Sequence, residues 1–297
     1  MLPQFRLDTG MTRFIPWWCK VGAKIALSRL PIDYKVFRRL SLFRHGRMDE
    51  PAYALRIFRE HLDRAGLPRQ LEGSFVILEL GPGDSLLTAL LAHAHGASHS
   101  YLVDVKHFAT GDLDIYRRTA TYLEQGGLHP PNIRTARSIE DVLSACNAEY
   151  LTQGLESLRS IPDASVDLVF SQAVLEHVRR HQLEDVLREL RRVLKPTGVG
   201  SHEIDFADHL GGALNNLRFS AKLWEAEWMA QSGFYTNRIR HHEMLQCFAR
   251  AGFEVAVADI TRWKGLPTPR ERMSREFAGL AEDDLLVRTI DLVTRPR

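Results

Sequence analysis

The feature that most constrains the fold is an apolar strand that runs into a glycine turn and then a helix. Residues 74–80 (SFVILEL) form a short, continuous apolar run, which is typical of a strand buried on both faces of a sheet. Gly81 and Gly83 follow directly, and residues 85–95 predict an apolar helix that ends at Gly96. A strand, a tight turn and a helix in this order begin a βαβ unit.

The same alternation continues along the chain. Further strands are predicted at 98–104, near 149–152, at 166–171 and at 199–204, and helices at 49–66, 112–126, 138–147, 183–194 and 241–251. Two final strands are predicted at 253–260 and 286–293, after a helical insertion. Right-handed crossovers between such elements predict an α/β fold with a doubly wound, Rossmann-like, mostly parallel sheet.

Composition excludes several classes of protein. Hydrophobic residues make up 44% of the chain and charged residues 26%, which is a globular balance. No apolar run reaches the roughly 18 residues that a membrane span needs. The three cysteines have no motif spacing, which argues against a disulfide framework or a cysteine zinc site and favours the cytoplasm.

Charge is distributed unevenly. Residues 1–47 hold ten Lys or Arg and two Asp, a net charge of +8, which leaves −6 for the remainder of a chain whose total is +2. We expect two parts, a basic helical cap at 1–70 and a ligand-binding domain at 71–297. Aromatic residues between these charges suit a solvated cap packed on the main domain, or peripheral contact with an anionic membrane at its inner face or a lipid-linked substrate. Nucleic acid fits this charge less well and is not the expected partner.

The glycine turn predicts a ligand at the carboxyl end of the sheet, where open α/β folds bind their ligands. A dinucleotide fingerprint would need a third glycine at position 86, which is Leu86. Glu79, two residues before the turn, suits a cationic ligand and would repel a pyrophosphate. Asp104 ends the second strand about twenty residues on, where a carboxylate can accept both hydroxyls of a ribose.

These motifs resemble those of class I S-adenosylmethionine-dependent methyltransferases over roughly residues 74–260. The matching segments are Glu79-x-Gly81-x-Gly83, Asp104, Ser165–Val169, Leu175–Val178 and Leu194–Gly198. The resemblance implies a seven-stranded sheet whose last strand is antiparallel, with S-adenosyl-L-methionine lying across the ends of strands one to four.

By family position, the turn faces the methionine part of the donor, Asp104 the ribose and residues 154–156 the adenine, while Ser171 and Gln172 lie under the methionine end. The resemblance thus implies twelve donor-binding residues: Glu79, Gly81, Gly83, Asp84, Ser85, Asp104, Val105, Gly154, Leu155, Glu156, Ser171 and Gln172. The adenine loop departs from the family, which usually has an Asp where this chain has residues 152–156 (TQGLE).

Residues 202–209 (HEIDFADH) place three acids and two histidines beside the expected methyl position. An alcohol acceptor needs a general base. We expect His209 to be that base, oriented by Asp205 or Asp208, with His177 as a second candidate. Two alternatives stay open: these are loop and capping residues, or Asp205 and Asp208 bind Mg²⁺. Our expectation is that no metal is bound.

An insertion around 207–240 is predicted to form a lid over the site. Leu214, Leu217, Ala221, Trp224 and Trp228 are spaced by three and four, which predicts one apolar helix face. Either this face packs as a core, or Trp224 or Trp228 lines the acceptor site.

The segments 43–48 and 171–177 and the Asp205-x-x-Asp208-His209 motif resemble bacterial methyltransferases of surface-polysaccharide and secondary-metabolite pathways. The leading hypothesis is O-methylation of a hydroxyl on a saccharide or related metabolite. The alternatives are O- or N-methylation of a small aromatic metabolite, and a non-catalytic methyltransferase-like binding subunit.

Overall fold

A computed structural model describes residues 48–71 and 73–297, so the basic segment 1–47 and its predicted membrane contact lie outside the described residues. The strands are β1 Val76–Leu80, β2 His99–Val103, β3 Ala148–Leu151, β4 Val166–Gln172, β5 Leu194–Asp205, β6 Phe253–Arg262 and β7 Val287–Pro296. The helices are α1 Pro51–Ala65, α2 Leu87–Ala94, α3 Leu113–Gln125, α4 Ile139–Ala145, α5 Leu155–Ser160, α6 Leu183–Val193, α7 Ala221–Trp224, α8 Glu227–Ala230, α9 His241–Arg250, α10 Arg275–Ala278 and α11 Glu282–Leu286. Two 3₁₀ turns occupy Asn215–Arg218 and Arg270–Arg272.

These strands form a seven-stranded sheet in the order β3-β2-β1-β4-β5-β7-β6. Strands β1 to β5 pair in parallel, and β7 runs antiparallel to both β5 and β6. The predicted doubly wound sheet with an antiparallel last strand is therefore confirmed. Because β1 to β5 point the same way, the residues that follow them meet at one edge.

The predicted strand and helix bounds agree with the structure to within about two residues, except at β5 and at the end of β7, which continues to Pro296. Strand β5 begins at Leu194 rather than 199, because Leu194 pairs with Val166 across a register shift in the β4–β5 ladder. Residues 194–198, which precede the predicted strand, are thus part of β5.

Apolar residues cover both faces of the sheet. On one face, Ile77 and Phe170 pack in a core with helices α1 to α4; on the other, Leu78 and Val169 pack in a core with α6 and α9. Helix α1 lies within the segment predicted as an N-terminal cap. Its Phe58 is 1% exposed, and its inner face is part of the first core.

The predicted lid helix is wrong. Residues 213–232 form a 3₁₀ turn and the two short helices α7 and α8. The breaks between these short elements let the segment contribute to two separate hydrophobic clusters. Leu214 and Leu217 pack with Phe277 in one, and Trp224 packs with Phe234 in the other. A straight helix with one apolar face could not point into both.

Every helix in the described part of the chain is too short or too polar to cross a bilayer.

The close contact of β5 with β7 at Gly200 leaves no room for a larger residue, so substitution there should destabilise the fold. A β-carbon at Gly200 would collide with Thr294 Oγ1 and lie 2.9 Å from His202 Nε2, so Gly200→Ala should lower the free energy of unfolding by about 1–3 kcal/mol. Urea unfolding measures this. Gly111→Ala is the matched control, because a β-carbon at Gly111 meets nothing within 4 Å, and it should change stability by less than about 0.5 kcal/mol. Equal losses in the two variants would contradict the packing described here.

Candidate functional site

The glycine turn after β1 is closed over by the segment that follows β4. Gly81 has φ +75°, and a β-carbon there would lie 2.5 Å from Val174 Cγ2. Ala173, next to Val174, has φ +53°, which is a costly conformation for a non-glycine residue and is often found at functional sites. Only glycine at position 81 leaves room for the Val174 side chain at this edge of the sheet.

Asp104 joins the turn to the end of β2. Its carboxylate accepts hydrogen bonds from the backbone N–H of Gly83 at 3.0 Å and of Val105 at 2.7 Å, and the residue is 8% exposed. The backbone N–H of Gly154, after β3, donates to the Asp104 carbonyl at 2.8 Å. The ends of β1, β2 and β3 are therefore fixed to one another around this residue.

Glu79 is a buried acid at this edge. It is 3% exposed, and its Oε2 has no hydrogen-bond partner among the described residues. Burial raises the pKa of Glu79 to about 8, and the negative charge of Asp104 acts in the same direction. A cationic group placed here would relieve both costs, because it would supply a partner and a counter-charge.

An apolar surface adjoins Asp104 on the β3 side. Val105 is 66% exposed, which is unusual for a valine next to a buried carboxylate. A β-carbon at Gly154 would lie 3.2 Å from Val105 Cγ1, so glycine at this position keeps the Val105 side chain uncovered. Glu156 is exposed and pairs with Arg159 at 2.5 Å, while Leu155 is partly buried at the start of α5.

Four further residues expected at the donor site have side chains that are buried or hydrogen-bonded within the protein. Asp84 is 8% exposed and Ser85 2% exposed. The Ser171 hydroxyl lies 2.8 Å from His202 Nδ1, and the Gln172 amide oxygen lies 3.0 Å from His61 Nε2. Any contact of Ser171 with a ligand would have to come from its backbone, because its side chain is fully buried.

Asn237 holds the segment after β4 in place, and no sequence signal pointed to it. Its side-chain amide donates to the carbonyls of Leu175 at 2.8 Å and Val178 at 3.0 Å, and its backbone N–H donates to the Glu176 carbonyl at 2.7 Å. Because Asn237 is 1% exposed, these bonds are protected from water.

Acidic side chains gather where β4 and β5 end. Glu176 is 2% exposed; its Oε1 accepts from the Asp205 backbone N–H at 3.3 Å, and its Oε2 has no partner in the described part of the chain. Burial and the nearby Asp205 raise the pKa of Glu176 well above its ordinary value. Burial also raises the pKa values of Glu203 and Asp205. The sequence did single out Asp205, but not Glu176.

His177 and His209 are neighbours at this edge. Their ring centroids lie 4.7 Å apart with the planes at 67°. His177 Nδ1 lies 2.8 Å from the Tyr235 carbonyl oxygen. Since a carbonyl can only accept, Nδ1 carries the proton, and Nε2 is the acceptor of the neutral ring. The structure therefore brings two of the three candidate catalytic residues together.

The orienting role expected for Asp205 or Asp208 is not seen. Asp208 Oδ1 accepts from the backbone N–H groups of Leu210 and Gly211, and its Oδ2 accepts from Asn215, so Asp208 caps its own loop. Asp205 Oδ1 accepts from Ala207, and no hydrogen bond joins Asp205 to His209 within residues 48–71 and 73–297.

The structure decides between the two alternatives for Trp224. Trp224 is fully buried and its Nε1 donates to the Thr236 carbonyl at 2.7 Å, so it packs as core and does not line an acceptor site. Trp228 is 41% exposed. In the part of the chain that the structure describes, no group of three or more His, Cys, Asp or Glu side chains could hold a metal ion.

Comparison with known families gives one match. The family model described as a methyltransferase domain matches residues 126–200, about a quarter of the chain. This stretch includes β3, β4, the Glu176-His177 pair and most of β5, and it excludes the glycine turn and Asp104. No curated protein sequence matches the chain.

Solved structures resemble it distantly. An S-adenosylmethionine-dependent methyltransferase from Mesorhizobium loti is 18% identical, with 78% of this chain and 94% of that chain covered and a TM-score of 0.43. One from Archaeoglobus fulgidus is 14% identical, with 89% and 100% covered and a TM-score of 0.47. Phosphoethanolamine N-methyltransferase 2 of Haemonchus contortus, in complex with S-adenosylhomocysteine, is 14% identical, with 80% and 52% covered and a TM-score of 0.42. The fold itself is established by the strand order, and identities this low say nothing of the acceptor.

The residues at the edge of the sheet fit a sulfonium nucleoside. Gly81 leaves the turn open, Glu79 has a buried oxygen that suits an ammonium group, and Asp104 can accept from a ribose. With the match of residues 126–200 to a methyltransferase domain, these features support an enzyme that transfers a methyl group, and S-adenosyl-L-methionine is the donor that they suit.

The raised pKa of Glu79 predicts that donor binding releases a proton. At pH 7 the Glu79 carboxyl is protonated in the ligand-free protein, because its pKa is about 8. An ammonium group beside it favours the carboxylate, so binding should expel the proton and the affinity should rise as the pH approaches 8. Calorimetry with S-adenosylhomocysteine at pH 7 in phosphate and in Tris measures this, since the two buffers differ in ionisation enthalpy. Glu79→Gln should remove the difference; equal enthalpies for the unmodified protein would contradict the role of Glu79.

Gly81→Ala should weaken donor binding strongly. The new β-carbon would enter the space of Val174 at a positive φ, so the turn would have to move. We expect the dissociation constant for S-adenosylhomocysteine to rise by more than about 100-fold in calorimetry. The strain costs about 3 kcal/mol, and each 1.4 kcal/mol or so changes the constant tenfold. Gly66→Ala is the matched control, because Gly66 has φ +72° but nothing within 4 Å, and it should cost stability and leave binding unchanged. Unchanged binding in Gly81→Ala would show that the turn does not hold the donor.

Proposed function

We propose that this enzyme methylates a hydroxyl group, and that the acceptor is a saccharide or a related polyhydroxy metabolite. The observation that supports this most directly is the contact of His177 with His209 at the ends of β4 and β5. An alcohol is far too weak an acid to ionise unaided at neutral pH, so its methylation benefits from a base such as histidine.

The donor-binding residues are proposed as follows. Glu79 takes the ammonium group, Gly81 and Gly83 the methionine chain, and Asp104 the two ribose hydroxyls. Val105 and Gly154 flank the adenine, while the backbone at the end of β4 supports the methionine from below. When bound, the donor supplies an electrophilic methyl group on a sulfonium. The protein's part is then to hold the two reactants in line, which can contribute about 7–11 kcal/mol to lowering the barrier.

His209 is proposed as the general base, and His177 as the residue that shapes its surroundings. His177 is fixed by its bond to Tyr235, and its ring edge packs against His209. His209 would accept the hydroxyl proton as the oxygen attacks. Asp205, whose backbone N–H is held by Glu176, contributes negative charge nearby that would favour the imidazolium formed in this step.

The carboxyl groups at the same edge suit an acceptor with several hydroxyls. Glu203 and Asp205 project from the same face of β5, because they are two residues apart in a strand. Burial raises the pKa of each, so each is able to act as acceptor or, when protonated, as donor to a hydroxyl. The basic segment 1–47 is proposed to contact an anionic membrane surface or a lipid-linked form of the same acceptor.

Substitution of His209 tests the proposed base. His209→Ala should lower kcat by about 10²–10⁴-fold with a saccharide or polyol acceptor, because the base is lost, and should leave the affinity for S-adenosylhomocysteine within about threefold. The measurement is transfer of labelled methyl to a panel of nucleotide sugars, oligosaccharides and phenols, with calorimetry in parallel. His181→Ala is the control, since His181 is an exposed histidine of the same region, and it should keep full activity.

Two outcomes would contradict the proposal. Unchanged turnover in His209→Ala would remove His209 as the base. Methylation of phenols or aromatic amines, with none of the saccharides accepted, would replace the hydroxyl acceptor by a small aromatic one.

A further inference from the structure

A buried histidine outside the expected site contacts the end of β4. His61 lies on the inner face of α1 and is fully buried. Its Nδ1 lies 2.8 Å from Ser201 Oγ and its Nε2 lies 3.0 Å from Gln172 Oε1, while its ring centroid is 4.7 Å from that of Phe170. The imidazole ring of His61 thus connects α1 to both β4 and β5.

The partners of His61 fix its protonation. The Gln172 side chain presents its amide oxygen to His61 Nε2. Because an amide oxygen only accepts, His61 Nε2 carries the proton. Nδ1 then accepts from the Ser201 hydroxyl. Burial, and next the positive charge of Arg64, hold the pKa of His61 well below its ordinary value, so the ring stays neutral.

This arrangement is anchored at its far end by an ion pair. Arg64, one turn along α1, lies 2.7 Å from the carboxylate of Asp291 on β7. It also approaches His61 Nδ1 at 3.2 Å. Both members of the pair are mostly buried, so the pair holds α1 in register with β5 and β7.

Gln172 connects His61 to the proposed donor site. It is the last residue of β4, and Ala173 and Val174 directly after it turn back over Gly81. A displacement of the Gln172 backbone would move Val174 relative to the glycine turn. The hydrogen bond from His61 is the contact between α1 and this point of the chain.

We propose that His61 is a positioning residue for the methyl donor: its Nε2–H holds Gln172, and through Gln172 it sets the end of β4 against the Gly81 turn. This inference rests on the proposed placement of the donor over that turn. It makes α1 part of the donor site, although α1 lies in the segment that the sequence assigns to a separate cap.

Two amide variants of similar size separate the bond from general packing. In His61→Gln the amide nitrogen reaches the place of Nε2 and can still donate to Gln172, whereas His61→Asn reaches only the place of Nδ1. We expect His61→Asn to raise the dissociation constant for S-adenosylhomocysteine by about tenfold or more, as loss of a buried hydrogen bond does, and His61→Gln to keep it within about threefold. Calorimetry gives the constants and thermal unfolding the stability.

His95→Asn is the matched control. His95 is also fully buried, packs on Phe58 of α1 with ring centroids 5.1 Å apart, and bonds the Leu91 carbonyl through Nδ1. It should lower the unfolding temperature as His61→Asn does and leave the dissociation constant unchanged. If His61→Asn does not fold, Ser201→Ala serves instead, because it removes the partner that orients the ring and should raise the constant by about threefold.

The outcomes separate this inference from the proposed function. Equal dissociation constants for the Asn and Gln variants, or an equal rise in His95→Asn, would overturn the role of His61. Failure of the unmodified protein to bind S-adenosylhomocysteine at millimolar concentration would instead overturn the donor site itself. Tight binding that weakens in His61→Asn alone supports the inference.

Discussion

The hydrogen bonds of Asp104 hold together the edge of the sheet at which β1, β2 and β3 end. The carboxylate of Asp104 accepts from the backbone of Gly83 and Val105, and its backbone carbonyl accepts from Gly154, so one residue joins the ends of three strands. The same carboxylate is the group proposed to accept the ribose hydroxyls. A side chain held by backbone donors has little freedom to reorganise when a ligand arrives, and such preorganisation lowers the cost of binding.

Buried acids give this edge its electrostatic character. Glu79 has a pKa of about 8, and the pKa values of Glu176, Glu203 and Asp205 are all raised by burial. The Glu79 and Glu176 carboxyls each keep one oxygen without a partner among the described residues, whereas Asp291 on β7 pairs with Arg64. Keeping such groups out of water costs stability, and perturbed acids of this kind are concentrated at functional sites.

The fold, and the edge of the sheet at which β1 and β2 end, could be predicted because their signals are local. An apolar run, a glycine turn and an acid at the end of the next strand specify β1, β2 and the edge between them, and the strand order confirms that arrangement. The lid could not be predicted in the same way: residues spaced for one helix face divide between two clusters, and only the tertiary packing decides which residue faces which. Asn237 and the buried ring of His61 gave no local signal, although His61 shares the inner face of α1 with Phe58 and Leu62.

A crystal structure of the protein with S-adenosylhomocysteine tests the central claim most directly. The account predicts density for the nucleoside at the ends of β1 and β2, with both ribose hydroxyls on the Asp104 carboxylate and the ammonium group beside Glu79. A ligand bound elsewhere, or Asp104 still closed by its backbone donors with no ribose in contact, would contradict it.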